Sequence, residues 1–199
     1  MEKYFKKKLT TYTCPNISLF RFINEINFKF KKKKVLELGF GHGSDLLEIK
    51  KRGSKAYGID INPYAVKKFK HKKINAKLQD LSLGKIFFKN VKFDLIYHQD
   101  ISCYMSYDEI CKLNQNAYNN LKKNGIYIFQ FIENDLKLKK KVINPYLEMK
   151  KNYLKKPFHE KDNPINFISI GQVIKLFKKN NLKFKLIKNK LTIESYAND

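Results

Sequence analysis

Short apolar runs alternate with longer amphipathic stretches along most of the chain. The runs have the length of buried strands, and the amphipathic stretches repeat apolar residues at helical intervals. This alternation is typical of βαβ units built around a parallel sheet. The predicted strands are residues 35–38, 56–59, 75–78, 93–97 and 126–131, and the predicted helices are 16–27, 44–51, 63–71, 107–121 and 170–179.

Three segments depart from this rhythm. Residues 1–15 are rich in lysine and aromatic residues and predict an N-terminal arm, while residues 133–168 contain several prolines and have the length of a substrate or lid insertion. Residues 182–187 and 191–195 predict a C-terminal antiparallel hairpin. Since no linker divides the chain, we expect one domain over 1–199: an α/β, Rossmann-like, doubly wound and mostly parallel seven-stranded sheet.

Composition narrows the class of protein. Hydrophobic residues make up 43% of the chain, which excludes a disordered protein, and no uninterrupted apolar run approaches the ~20 residues of a membrane span. Cys14, Cys103 and Cys111 form no C-x-x-C pair, so neither a disulfide framework nor a metal site is expected. The sequence predicts a cytoplasmic protein with reduced thiols.

The charge raises the question of nucleic-acid binding. Lysine and arginine number 42 against 18 acidic residues, a formal net charge of +24. Arg21 and Arg52 are the only arginines, although arginine is the residue best suited to bidentate contacts with phosphates and bases. The lysines are spread along every element, so we expect weak, salt-sensitive attraction to polyanions rather than specific recognition.

The segment 35–43 carries the clearest chemistry. It reads Val-Leu-Glu-Leu-Gly-Phe-Gly-His-Gly, a buried strand that runs into a glycine-rich turn and a helix. Such a turn brings bare backbone and helix N–H groups to a ligand at the carboxyl edge of the sheet. A dinucleotide site requires a third glycine where this chain has Ser44. The Glu37 carboxylate would repel a pyrophosphate, but it suits a ligand that carries an amino group.

With these residues the chain resembles the class I S-adenosylmethionine (SAM)-dependent methyltransferases. The family's motifs occur in the same order: the glycine string preceded by an acid, a second strand that ends in an acid, an acid after the third strand, and the fourth and fifth strands. The matching segments are 35–43, 57–61, 79–81, 93–97 and 121–128. The resemblance covers residues 33–136 and, less closely, 169–195.

The resemblance implies SAM as cofactor and S-adenosylhomocysteine (SAH) as product. Asp60 would accept hydrogen bonds from the ribose hydroxyls, and Asp80 would accept the adenine amino group, with the Leu81 backbone beside it and Ile61 flanking the ring. Glu37 would orient the loop or the methionine ammonium. The full set of expected cofactor-binding residues is Glu37, Gly39, Phe40, Gly41, Gly43, Asp60, Ile61, Asp80, Leu81, His98 and Gln99.

The turn after the fourth strand bears on the acceptor. Methyl transfer depends mainly on alignment, although an oxygen or nitrogen acceptor can need a base. His98 is the candidate base, with contact to the donor or shaping of the turn as alternatives. The segment after Tyr97 lacks the Asn/Asp-Pro-Pro-Tyr string of many nucleic-acid and protein amino-group methyltransferases. A small-molecule acceptor is therefore expected, and the alternatives are an RNA methyltransferase and a SAM-binding protein without methyl transfer.

Overall fold

The computed structural model describes residues 14–84, 87–99, 101–102, 105–131 and 169–179. Residues 1–13 of the predicted arm lie outside the described residues. So do the predicted insertion at 133–168 and the predicted hairpin at 182–195.

Helices and strands alternate as the hydrophobic pattern predicts. Helices 44–51, 63–71 and 170–179 and strand 75–78 have the predicted bounds, and most other elements differ by one or two residues at an end. The elements in chain order are α1 (Ile17–Glu25), β1 (Lys34–Leu38), α2 (Ser44–Lys51), β2 (Lys55–Asp60), α3 (Pro63–His71), β3 (Asn75–Leu78), a one-turn 3-10 helix (Leu81–Leu83), β4 (Phe93–His98), α4 (Tyr107–Asn120), β5 (Leu121–Phe129) and α5 (Ile170–Lys179).

Local capping explains why several helices begin where they do. The Asn62 side chain accepts hydrogen bonds from the N–H groups of Tyr64 and Ala65, and Pro63 occupies the first helical position of α3. α4 begins with a capping box in which Ser106 and Glu109 exchange side-chain and backbone hydrogen bonds.

The five described strands form one parallel sheet in the order β3-β2-β1-β4-β5. The chain first builds outward from β1 to β3 and then returns to the other side of β1 with β4. The strand order therefore reverses between β1 and β4, and ligands of such sheets bind in the crevice outside the carboxyl ends at this point. The α/β, Rossmann-like prediction is confirmed for the described strands.

The fifth strand departs from its predicted start. The sequence predicts a turn at 122–125 followed by a strand from 126, whereas β5 begins at Leu121. Phe93 is opposite Leu121, but Leu95 is opposite Ile126. Residues 122–125 of β5 therefore form a bulge opposite the single residue Asp94 of β4. Asn124 adopts a left-handed conformation (φ 62°) within that bulge. The predicted turn is thus part of the strand, because pairing with β4 resumes on both sides of it.

Helices cover both faces of the sheet, and each face has its own buried cluster. One cluster joins α1, α2 and α3 to the sheet, and the other joins α4 and α5 to the opposite face. Leu36 and Leu38 contribute to one cluster and Val35 to the other, since alternate residues of β1 point to opposite faces. In the described part of the chain, no helix is long and apolar enough to cross a membrane.

Candidate cofactor site

The glycine-rich loop connects β1 to α2 at the carboxyl edge of the sheet. A Cβ atom on Gly39 would lie 2.3 Å from Ile101 Cγ2, and one on Gly43 would lie 2.3 Å from Phe69 Cζ, so both ends of the loop pack tightly. A Cβ on Gly41 would meet nothing within 4 Å. The middle of the loop therefore presents bare backbone to an open space, as a ligand that lies against the chain requires.

Asp60 fixes this loop to the end of β2. Its Oδ2 accepts a hydrogen bond from the Gly41 N–H at 2.7 Å, and its Oδ1 accepts one from the Asn62 N–H at 2.7 Å. The residue is buried at the mouth of the crevice. A carboxylate offers about four acceptor sites, so two backbone bonds are compatible with further hydroxyl donors. The sequence predicts Asp60 at this edge, and the structure places it there.

Glu37 lies beneath the loop and is buried. Burial raises its pKa well above the ordinary value, and the negative charges of Asp45 and Asp60 raise it further, while the nearby Tyr97 hydroxyl opposes the rise. Glu37 Oε2 has no hydrogen-bond partner among the described residues. An unpartnered buried acid oxygen beside two other acids would be stabilised by a ligand cation. The residues present thus fit an ammonium- or sulfonium-bearing cofactor.

A hydrogen-bond network connects this region to the first helix. Asp45, in the first turn of α2, accepts the Asn16 N–H at 2.7 Å and the Gln99 side-chain N–H at 2.7 Å. The Asn16 side-chain amide in turn donates to Gln99 Oε1. The sequence predicts Gln99 as a cofactor contact but does not identify Asp45 or Asn16. An acid two residues after the glycine string was the available signal for Asp45.

Asp80, Leu81 and Ile61 gather beside Asp60. The Gln79 N–H donates to the Asp60 carbonyl at 3.0 Å, which places the start of the next segment against the end of β2. Asp80 Oδ1 accepts from the Ser82 N–H and hydroxyl at 2.9 and 2.7 Å and so caps the 3-10 helix. Ile61 is 57% exposed and Leu81 is half-buried. The expected adenine-side residues are therefore adjacent at one edge.

Two expected site residues direct their side chains into the core. The Phe40 ring is buried and packs edge-to-face on Phe69 at 5.5 Å between ring centroids. Phe40 can therefore contribute to the loop surface only through its main chain. His98 is fully buried, with its ring 4.7 Å from that of Phe129. Burial lowers the pKa of His98 to about 3, so the imidazole is neutral near pH 7. Of the three roles considered for His98, this geometry favours shaping of the turn.

No group of three or more His, Cys, Asp and Glu side chains is placed to hold an ion within the residues that the structure describes. Among the described residues, neither Cys14 nor Cys111 forms a disulfide.

Comparison with known sequences gives the same assignment as the motifs. Residues 35–125 match the model of a methyltransferase domain. A protein of Methanocaldococcus jannaschii, named as a protein N5-glutamine methyltransferase, is 44% identical over 72 residues. The match covers 33% of this chain and 35% of that protein, so the chain spans about a third of the length of this curated relative.

Solved structures share the fold. The magnesium protoporphyrin IX methyltransferase of Synechocystis PCC 6803, solved with bound SAH, aligns with a TM-score of 0.62 at 14% identity over 88% of this chain and 82% of its own. The PH0226 protein of Pyrococcus horikoshii aligns with a TM-score of 0.58 at 16% identity, over 90% and 89% of the two chains. These alignments show that the chain shares the fold of these proteins, and the matched domain shows that residues 35–125 are similar to a methyltransferase domain.

Proposed function

We propose that this chain binds SAM in the crevice above β1 and β2 and transfers its methyl group to a small-molecule acceptor. The observation that carries the proposal is the open backbone face at Gly41, held in place by the Asp60 carboxylate. Glu37 supplies an acidic floor to the same crevice. A bare loop between two acids suits a nucleoside that bears an amino-acid tail and a positive charge.

The proposed roles are those that the methyltransferase resemblance implies, and the positions of the residues at the carboxyl edge support them. The main chain of Gly39, Phe40, Gly41 and Gly43 supports the methionine portion, and Glu37 attracts its ammonium group. Asp60 accepts from the ribose hydroxyls; Asp80 and Leu81 meet the adenine, with Ile61 against its ring. When bound, SAM supplies a methyl group that is already activated by its sulfonium. The chain then needs chiefly to align the acceptor and exclude water.

A small acceptor is favoured by the end of β4. Residues 98–102 read His-Gln-Asp-Ile-Ser, without the proline pair that amino-group methyltransferases of nucleic acids and proteins commonly carry there. His98 is fully buried and its pKa is lowered to about 3, so it is a weak base toward either an oxygen or a nitrogen acceptor.

A protein glutamine side chain is the second candidate acceptor. It is favoured by the relative from Methanocaldococcus jannaschii, whose name specifies N5-glutamine methylation. The two candidates separate when purified protein is incubated with methyl-labelled SAM and a cell extract. We expect label in the small-molecule fraction. Label in protein would support glutamine methylation, and label in RNA would support an RNA methyltransferase. An absence of turnover would support a SAM-binding protein without methyl transfer.

Asp60→Asn tests the proposed site. The variant keeps the shape of the side chain but replaces the charged acceptor pair, so SAM affinity should fall by about 1–3 kcal/mol, or roughly 5- to 150-fold. Asp94→Asn is the matched control, because Asp94 also accepts a backbone N–H but lies at the other edge of the sheet, between Lys33 and Lys122. Equal losses in both variants would contradict the assignment of Asp60.

We further propose that the sheet contains seven strands. Among the described residues β5 pairs only with β4, and an apolar groove runs along it, lined by residues of α1, β5 and α5 such as Phe22, Ile126 and Val173. Segments 182–187 and 191–195 would complete the sheet beside β5 as an antiparallel hairpin. Hydrogen exchange tests this: we expect slow amide exchange in both segments, and fast exchange throughout them would overturn it.

A further inference from the structure

The two edges of the sheet differ sharply in charge. All five strands are parallel, so every strand begins at one edge and ends at the other. Within the described residues, the segments at the carboxyl edge contain no lysine or arginine, and they include the acids Asp45, Asp60 and Asp80. These segments are 39–46, 60–64, 78–84, 98–99, 101–102 and 105–109.

The amino edge shows the opposite composition. Each segment that leads into a strand carries lysines, most of them exposed. A chain enriched in lysine without regard to position would populate both edges, so the fold sorts the charge. The segments are 29–34 before β1, 50–55 before β2, 70–73 before β3, 89–92 before β4 and 122–123 within the start of β5.

Hydrogen bonds join the three segments that lead into β1, β2 and β3. The Lys32 N–H donates to the Gly53 carbonyl at 2.9 Å, and the Lys55 N–H donates to the Lys33 carbonyl at 2.8 Å. The Lys50 ammonium donates to the Lys72 carbonyl at 2.7 Å, which brings the segment before β3 alongside. We call the five segments 29–34, 50–55, 70–73, 89–92 and 122–123 together the amino-edge lysine row.

Few acids neutralise the row. Asp94 forms ion pairs with Lys33 at 3.5 Å and Lys122 at 2.8 Å, and Glu48 pairs with Arg52 at 2.7 Å. Other exposed cations of the row, including Lys31, Lys51, Lys55 and Lys123, form no ion pair with the described residues. Concentrated unpaired charge of one sign attracts a polyanion.

We propose that the amino-edge lysine row is a docking surface for the phosphate backbone of a nucleic acid. The row is linear, with one cationic segment per strand and strands about 4.8 Å apart, which suits a linear chain of charges. Its cations are almost all lysines, which bind phosphates as point charges and read little sequence. A membrane partner would also need apolar side chains at the surface. Among the described residues, Tyr118 is the large exposed apolar side chain near this edge.

The docking surface is separate from the cofactor site. Strand β1 has five residues, so the two edges are about 17 Å apart at 3.3–3.4 Å per residue. A nucleic acid on the row would anchor the protein without placing a nucleotide at the glycine loop. The inference therefore does not depend on the identity of the methyl acceptor.

The test compares two variants of equal charge. The row variant carries Lys31→Gln, Lys51→Gln, Lys55→Gln and Lys123→Gln. The control variant carries Lys67→Gln, Lys68→Gln, Lys112→Gln and Lys175→Gln, which are exposed positions on helices. Each full-length protein is titrated with a fluorescent oligouridine RNA of about 20 nucleotides over a range of salt concentrations. Binding of SAM by calorimetry serves as the folding control for both.

The expected difference lies in the salt dependence. The slope of log K against log salt changes by about 0.7 per phosphate contact with a single strand, so the row variant should lose a slope of roughly three and bind at least about tenfold more weakly at low salt. The control variant should keep the wild-type slope to within about one. Equal losses in the two variants would show diffuse attraction by net charge and overturn the proposal. Binding of each protein to phosphatidylserine vesicles is measured as well. If the row variant binds RNA as the wild type does but loses binding to the vesicles, the proposal is also overturned.

Discussion

At the scale of single residues, the central feature is a buried acid that the free protein stabilises poorly. Glu37 lies below the glycine loop with Asp45 and Asp60 nearby, and all three side chains are at most 8% exposed. Burial and these charges raise the pKa of Glu37. Burial also raises the pKa of Asp45, although hydrogen bonds from Asn16 and Gln99 oppose that rise. The acidic cluster has the charge that a cationic cofactor requires.

Glu37→Gln should therefore make the unliganded protein more stable and SAM binding weaker. A carboxyl whose pKa is raised on folding favours the folded state at low pH, and that contribution is lost as the pH rises from its ordinary value of 4.5 through the raised value. The variant should gain on the order of 1 kcal/mol of stability near pH 8. Urea unfolding at several pH values measures this. If the free energy of unfolding of the variant depended on pH as that of the wild type does, the raised pKa of a buried Glu37 would be contradicted.

His98 makes the opposite prediction at acid pH. Burial lowers the pKa of His98 from 6.5 to about 3. Between these two pH values the imidazole is protonated in the unfolded chain but neutral in the folded chain. The contribution of His98 to the free energy of unfolding is fully present above the pKa of the unfolded state. It is lost as the pH falls toward the pKa of the folded state, by up to about 1.4 kcal/mol per pH unit. His98→Leu should remove this loss, whereas the exposed His71→Gln should not. An imidazole of His98 that titrates near 6.5 by NMR would contradict its burial.

At the scale of elements, the glycine loop combines two functions in one turn. Gly39 and Gly43 allow close packing against Ile101 and Phe69, while Gly41 leaves space for a ligand. The string G-x-G-x-G predicts such a loop, and the structure shows that caps at Asn62 and Ser106 fix where α3 and α4 begin. The bulge in β5 was not predictable, because it depends on pairing with β4, a contact that no local pattern encodes.

Alanine substitutions separate the two functions of the loop. Gly43→Ala adds a methyl group 2.3 Å from the Phe69 ring and should lower stability by about 1–3 kcal/mol or more. Gly41→Ala enters open space and should cost only about 1–2 kcal/mol from its left-handed backbone, yet it should weaken SAM binding. Thermal melts and SAM titrations distinguish these outcomes. Similar SAM affinity in Gly41→Ala and the wild type would remove Gly41 from the site.

At the scale of the whole molecule, topology places distant residues together. The sequence indicates that Asp60 and Asp80 lie at the carboxyl edge, because each follows a predicted parallel strand. Glu37 lies inside another predicted strand, one residue before its end. The sequence does not indicate the Asn16–Asp45–Gln99 network, whose members are far apart in sequence and are joined only by the packing of α1 against the loop. The separation of charge between the two edges is likewise visible only after the strands are assembled.

The most direct test of the account is an equilibrium titration of the wild-type chain with SAM, SAH and NAD. A crevice with a bare loop, an acidic floor and Asp60 at its mouth should bind SAM and SAH at one site per chain. The same acids should exclude NAD, because its pyrophosphate would face Glu37 across the loop. Saturable binding of SAM and SAH without binding of NAD is the predicted result. Binding of NAD alone, or of none of the three at millimolar concentration, would contradict the assignment.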